Sequence, residues 1–163
     1  MWTVVFTKKD SDGYEHLVMQ QSELTSCVPS CIYMVECIKK KQTMKGGDDR
    51  ILYISGQFDG HQDGTTDDNM LATLQAIGLR VSSTVTGNAV KLEPGRAYND
   101  SPAIVTLAWW DGGYHAVVAR WFTDDQSKVV FLDPNWGEIF EQVNDGYYTD
   151  GYSKATITGI YYI

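Results

Sequence analysis

The segment from Cys27 to about Lys41 is apolar on almost every face of the helix it predicts: Val28, Cys31, Ile32, Tyr33, Met34, Val35, Cys37 and Ile38 cover most of the circumference. A surface helix keeps a polar face, so a helix of this kind has to be enclosed by other elements. Ser26 stands where an N-cap belongs, Pro29 fits the first turn, and Lys39, Lys40 and Lys41 suit the negative end of the helix dipole. The enclosing material is mostly strand. Residues 2–7 and 15–19 predict two strands before the helix, flanking the Asp12-Gly13 turn. Later runs predict strands at 80–86, 103–109, 114–122, 128–133, 137–143 and 155–162. A second helix is expected from about Asp67 to Ile77, capped by Thr66, striped by Met70, Leu71, Leu74 and Ile77, and ended by Gly78. The Gly46-Gly47 pair and the stretch from Asp59 to Gly64 read as loops, and the run from Ile51 to Phe58 between them fits no single pattern. Helices first and strands after predict one α+β domain over residues 1–163, with a central buried helix on an antiparallel sheet.

With 13 Lys and Arg against 21 Asp and Glu, the net charge of −8 argues against nucleic-acid partners, which are gripped through clustered cations. It weakly suggests a substrate or partner with a basic patch. No run approaches the roughly 20 apolar residues of a membrane span, and Met1 to Lys9 lacks the layout of a signal peptide. Three cysteines, bunched at 27, 31 and 37, give no disulfide framework and fit a reducing, cytoplasmic setting; separately, a monomer is expected. Nor do they predict structural zinc, which needs a second closely spaced ligand pair. Phosphate-binding, dinucleotide and calcium-loop motifs are missing, and the acidic stretch from Asp59 to Asp68 lacks EF-hand spacing, so neither a metal nor a cofactor is expected.

The chemistry gathers around Cys27. A polar loop ends there and the apolar helix begins, and a helix N-terminus favours the thiolate, the reactive form. His115 opens a predicted strand and Asp133 closes another; thiol, imidazole and carboxylate are the parts of a cysteine hydrolase. The two strands are joined by Thr123 to Ser127. A turn centred on Asp125 sets Val117 opposite Asp133, so His115 becomes the diagonal, same-face neighbour of Asp133. Cys27 is then the nucleophile, His115 the general base, and Asp133 the group that fixes the imidazole tautomer. Gln21 would complete the set by donating its amide, with the Cys27 N–H, to the oxyanion; Gln20 is the alternative if the loop shifts register. Cys31 and Cys37 read as packing. His16, in a polar strand, and His61, in an acidic loop, are poorer bases. Trp109, Trp110 and Gly113 lead into His115, where aromatic walls could narrow a substrate groove; a core role for the tryptophans is equally consistent with their position.

Gln21, Cys27-Val-Pro-Ser-Cys-Ile, His115-Ala-Val-Val and Asp133-Pro-Asn-Trp-Gly together resemble papain-like cysteine peptidases, and within them the bacteriocin-processing peptidases that cut after a double glycine. The likeness spans about residues 18–140. That branch carries Gln six residues before a Cys-Gly-x-Ala-(Ser or Cys)-Leu helix start; here Val28 replaces the usual Gly and Ser30 the usual Ala. The resemblance implies a papain-like fold and a thiol protease acting on protein substrates, with a preference for Gly-Gly beside the scissile bond. Members of that branch usually form the front of a membrane transporter. A domain of this size without those parts is similar to bacterial effector and toxin domains, which implies delivery into a target cytoplasm and an inhibitor or immunity protein as partner. Glutamine deamidation or transglutamination by the same machinery is the second expectation, and a non-catalytic binding domain with the same fold the third.

Overall fold

Helix α1 (Cys27–Lys40) is enclosed as its composition requires, with Cys31, Ile32, Met34 and Val35 wholly buried. The computed structural model describes residues 3–22, 26–47, 49–56, 67–94 and 101–163. Before α1, strands β1 (Val4–Lys9) and β2 (Glu15–Gln20) form a separate antiparallel hairpin across Asp12-Gly13. After it come α2 (Asp49–Ser55) and α3 (Asp67–Ala76). Then follow β3 (Ser83–Thr86), β4 (Ala103–Trp109), β5 (Tyr114–Phe122), β6 (Lys128–Asp133), β7 (Glu138–Val143), β8 (Tyr147–Thr149) and β9 (Lys154–Tyr162). These make an antiparallel sheet in the order β3-β9-β4-β5-β6-β7, with β8 also paired to β9. The fold is therefore α+β, with a central helix against a large antiparallel sheet.

The central strands of the sheet are buried on both faces, which explains why β5 and β6 read as nearly continuous apolar runs. Ala116, Val118 and Leu132 join Val18, Met19, Ile54, Met70, Leu74 and the α1 side chains in one core. Val117, Ala119, Phe131, Leu107, Tyr148, Ile157 and Tyr162 form a second core with the opposite face. One charge in α1 is buried: Glu36 is 1% exposed. It is held by Arg50 of α2, whose Nε donates at 2.9 Å, and by Lys40 Nζ at 3.3 Å, which supplies the pairing a buried carboxylate requires.

Several local readings change. The Ser26 side chain makes no cap hydrogen bond; only its carbonyl starts the helix, accepting from Ser30 N–H at 3.0 Å. Residues 80–82 precede the strand, which begins at Ser83. The undetermined run is helical up to Ser55, and Phe58 and Thr66 lie outside the described residues. Strand β8 has no counterpart among the predicted strands, because a three-residue strand is too short to show alternation.

The hairpin of β5 and β6 sets the geometry that matters most. Near its turn the pairs are Phe122↔Val129 and Trp121↔Val130, whereas beyond Arg120 they are Ala119↔Phe131 and Val118↔Leu132. Arg120 is thus the extra residue of a β-bulge. Continued without the bulge, the turn-end register would bring Asp133 opposite Val118 and leave it on the face away from His115. A one-residue slip exchanges the faces. The bulge restores the register expected from centring the turn on Asp125, with Asp133 level with Val117.

Candidate active site

Cys27 occupies the first position of α1 and is half-buried; His115 is the second residue of β5 and Asp133 the last of β6. His115 Nε2 lies 2.8 Å from Asp133 Oδ1, and both residues are buried. This leaves Nδ1 for the Cys27 thiol, with which the imidazole also shares a side-chain hydrogen bond. Burial pulls the imidazole toward neutrality. The hydrogen bonds and charges of Asp133 and Cys27 outweigh that effect and raise its pKa to about 9. At neutral pH the ring is therefore an imidazolium, which supplies the counter-charge a neighbouring thiolate needs.

The carboxylate is fixed from three sides. Besides His115, Asp133 Oδ1 accepts the Asn135 N–H at 2.8 Å, and Oδ2 accepts the Tyr148 hydroxyl at 2.6 Å. Tyr148 is 1% exposed, and burial together with the Asp133 charge pushes its phenol well above the ordinary range, so it remains a donor. Tyr148 is hard to read from the sequence because β8 is too short to show alternation; its one signal is a Tyr-Tyr pair without a visible strand around it. Trp109 stacks on His115 with centroids 5.6 Å apart and planes 18° apart, and it meets Tyr148 edge-on. Trp109, His115, Asp133 and Tyr148 thus form one continuous cluster at the end of the sheet.

The other predicted residues divide. Gln21 N–H donates to Pro134 O at 2.7 Å, so the residue is tied to the turn that follows Asp133. Gln20 instead packs its Cβ against Gly137, where an added Cβ would come within 3.0 Å of it and 2.7 Å of the Phe6 ring. Trp110, adjacent to Trp109 and so directed to the other face, is 62% exposed. Its Nε1 donates to Thr156 Oγ1 at 3.0 Å, and its ring meets Tyr147 and Lys154. Gly113, at φ +89°, accepts the Trp109 N–H at 2.9 Å and closes the tight turn between β4 and β5. Cys31 and Cys37 are free and buried, and burial raises both thiols.

A second pair was not anticipated. His16 Nε2 lies 2.8 Å from Asp10 Oδ2, and both side chains are buried. The pair contacts Trp121, whose Nε1 donates to Asp10 at 3.3 Å and whose ring lies edge-on to His16 at 4.9 Å. His16 is therefore a core residue, although its strand reads as polar.

Among the described residues no cluster of three or more His, Cys, Asp or Glu could hold a metal ion, and no helix is long and apolar enough to cross a membrane. No protein-family model matches this sequence, and no curated protein shows significant similarity to it.

Proposed function

We propose that this protein is a papain-like cysteine peptidase acting on polypeptides. The reading is carried by one observation: a thiol at a helix N-terminus meets an imidazole whose other nitrogen is held at 2.8 Å by a buried carboxylate. The Cys27 thiolate attacks the acyl carbon, and the oxyanion is taken up by the Cys27 N–H and the Gln21 amide. Collapse forms a thioester while the His115 imidazolium passes its proton to the leaving amine. The neutral ring then takes a proton from the water that attacks the thioester, and collapse releases the carboxyl product and restores the thiolate–imidazolium pair. Asp133, held by Asn135 N–H and Tyr148, keeps the ring oriented throughout. The Trp109 ring, stacked on His115, is the bulk that would favour glycine beside the scissile bond.

Incubating the wild type and Cys27→Ala with a protein lysate and sequencing new N-termini tests the reading. Cleavage after glycine, absent from the variant, is the expected result. A gain of about one dalton in intact substrate mass, without fragments, would replace the peptidase by a glutamine deamidase using the same groups. No change of any substrate would leave a binding domain. Efficient cutting after bulky residues would rule out the glycine preference.

A further inference from the structure

On the turn that follows Asp133, the Trp136 indole stacks on Tyr152 from the β8–β9 turn, with centroids 5.3 Å apart and planes 25° apart. Trp136 is 43% exposed and Tyr152 83%. Core packing does not account for a stack that faces solvent. What fixes it is Asp150, a buried residue whose carboxylate accepts Trp136 Nε1–H at 2.8 Å, Tyr152 N–H at 2.9 Å and Ser153 N–H at 2.8 Å. Burial pushes this carboxyl up, but the Ser153 and Tyr152 amides and the Trp136 indole more than reverse that and hold it below the ordinary carboxylate range. The group is ionised at neutral pH. All three donors are neutral, and no ion pair to Asp150 occurs among the described residues.

A full negative charge therefore lies against an aromatic stack without a cation among the described residues to balance it. An indole donating to an anion gains π-electron density, and the ring quadrupole and the carboxylate field then attract a cation together. The excess of 21 acidic over 13 basic residues adds a longer-range pull of the same sign. A sugar ring would also stack on these aromatics, but it would gain nothing from an unbalanced carboxylate behind them. The stack is joined directly to the candidate site: Asn135 N–H donates to Asp133 Oδ1 and Gly137 N–H to the Asp133 carbonyl at 2.9 Å.

We propose that Trp136, Tyr152 and Asp150 form a subsite for a Lys or Arg side chain of the polypeptide substrate, a few residues from the scissile bond. This deepens the peptidase reading and rests on it for the identity of the ligand.

Binding is measured with Cys27→Ala protein, which keeps the subsite but cannot form a thioester. The probes are short peptides with a central Gly-Gly and one Arg moved along the positions on either side, each matched by a citrulline peptide of the same shape without the charge. At one position the Arg peptide is expected to bind about 3- to 10-fold more tightly than its citrulline partner, with an advantage that shrinks as salt rises. Tyr152→Leu, a change at an exposed ring, should cut the advantage to below about 2-fold, and Asp150→Asn should remove most of it. Cleavage of the same peptides by the wild type is followed in parallel. An Arg preference in binding without any cleavage would sink the peptidase reading and leave the subsite standing. Cleavage without an Arg–citrulline difference at any position would overturn the subsite alone. An Arg advantage untouched by Tyr152→Leu would overturn it as well, as would Tyr152-dependent binding of a chitin oligosaccharide with no Arg preference.

Discussion

His115 and His16 are each buried, and each meets an aspartate through Nε2 at 2.8 Å with a tryptophan beside the ring. The third partner separates them. His115 turns its remaining side to the Cys27 thiol at the end of the sheet, whereas the His16 pair is completed by the Trp121 indole inside the fold. Two pairs with the same heavy-atom distance thus have different surroundings: one adjoins a half-buried thiol, the other clamps the β1–β2 hairpin to β5. On the proposed function, the neighbouring thiol and not the histidine–carboxylate contact itself is what separates the two pairs.

The largest expected effect breaks the pairs apart by function. Cys27→Ala or His115→Ala should lower kcat/KM by about 10⁴-fold or more, since members of such a unit fail together. His16→Ala should leave kcat/KM within about 3-fold, measured on the folded fraction. The same His16→Ala change should cost about 1–3 kcal/mol in urea unfolding, because it leaves Asp10 Oδ2 with only the 3.3 Å bond from Trp121. A kcat/KM loss as large as that of His115→Ala would mean the two pairs are not distinct.

The pH dependence of stability sharpens the contrast. The folded-state pKa of His115, about 9, lies above its ordinary 6.5. Its contribution is therefore full below about pH 6.5 and lost as pH rises through about 9, by as much as about 3 kcal/mol. Asp10 behaves in the opposite sense. Burial raises its pKa, but the bonds from His16, the Tyr14 backbone N–H and Trp121 lower it below 3.8 overall. Its contribution is present above that ordinary value and fades as pH falls through the lower, folded one. Urea unfolding from pH 3 to 10 should show a falling alkaline limb that His115→Ala flattens and an acid limb that Asp10→Asn flattens. Limbs assigned the other way round would contradict these opposite pKa directions.

The smallest effect concerns orientation. Tyr148→Phe removes the 2.6 Å bond to Asp133 Oδ2 and should lower kcat about 10-fold with little change in KM. A rise in KM alone would place Tyr148 in substrate contact instead.

Much of this was legible in the letters because it rests on local rules. The buried helix followed from a circumference without a polar face, and the contact of His115 with Asp133 followed from turn length and strand alternation. The bulge at Arg120 was invisible, since nothing in an apolar run marks the extra residue, and the register agreed at the open end only because the bulge offset a turn displaced by one. Tyr148 and the His16–Asp10 pair escaped for a different reason. Both depend on packing between segments distant in sequence, and a buried polar pair in a hairpin looks the same as an exposed one until the covering residue, here Trp121, is in place.

Iodoacetamide alkylation of Cys27 below pH 7, followed by peptide mapping, asks whether His115 activates the Cys27 thiol, with buried Cys31 and Cys37 as internal controls. Rapid labelling confined to Cys27, slowed at least about 10-fold by His115→Ala, is the predicted result. Slow labelling that ignores the loss of His115 would contradict it.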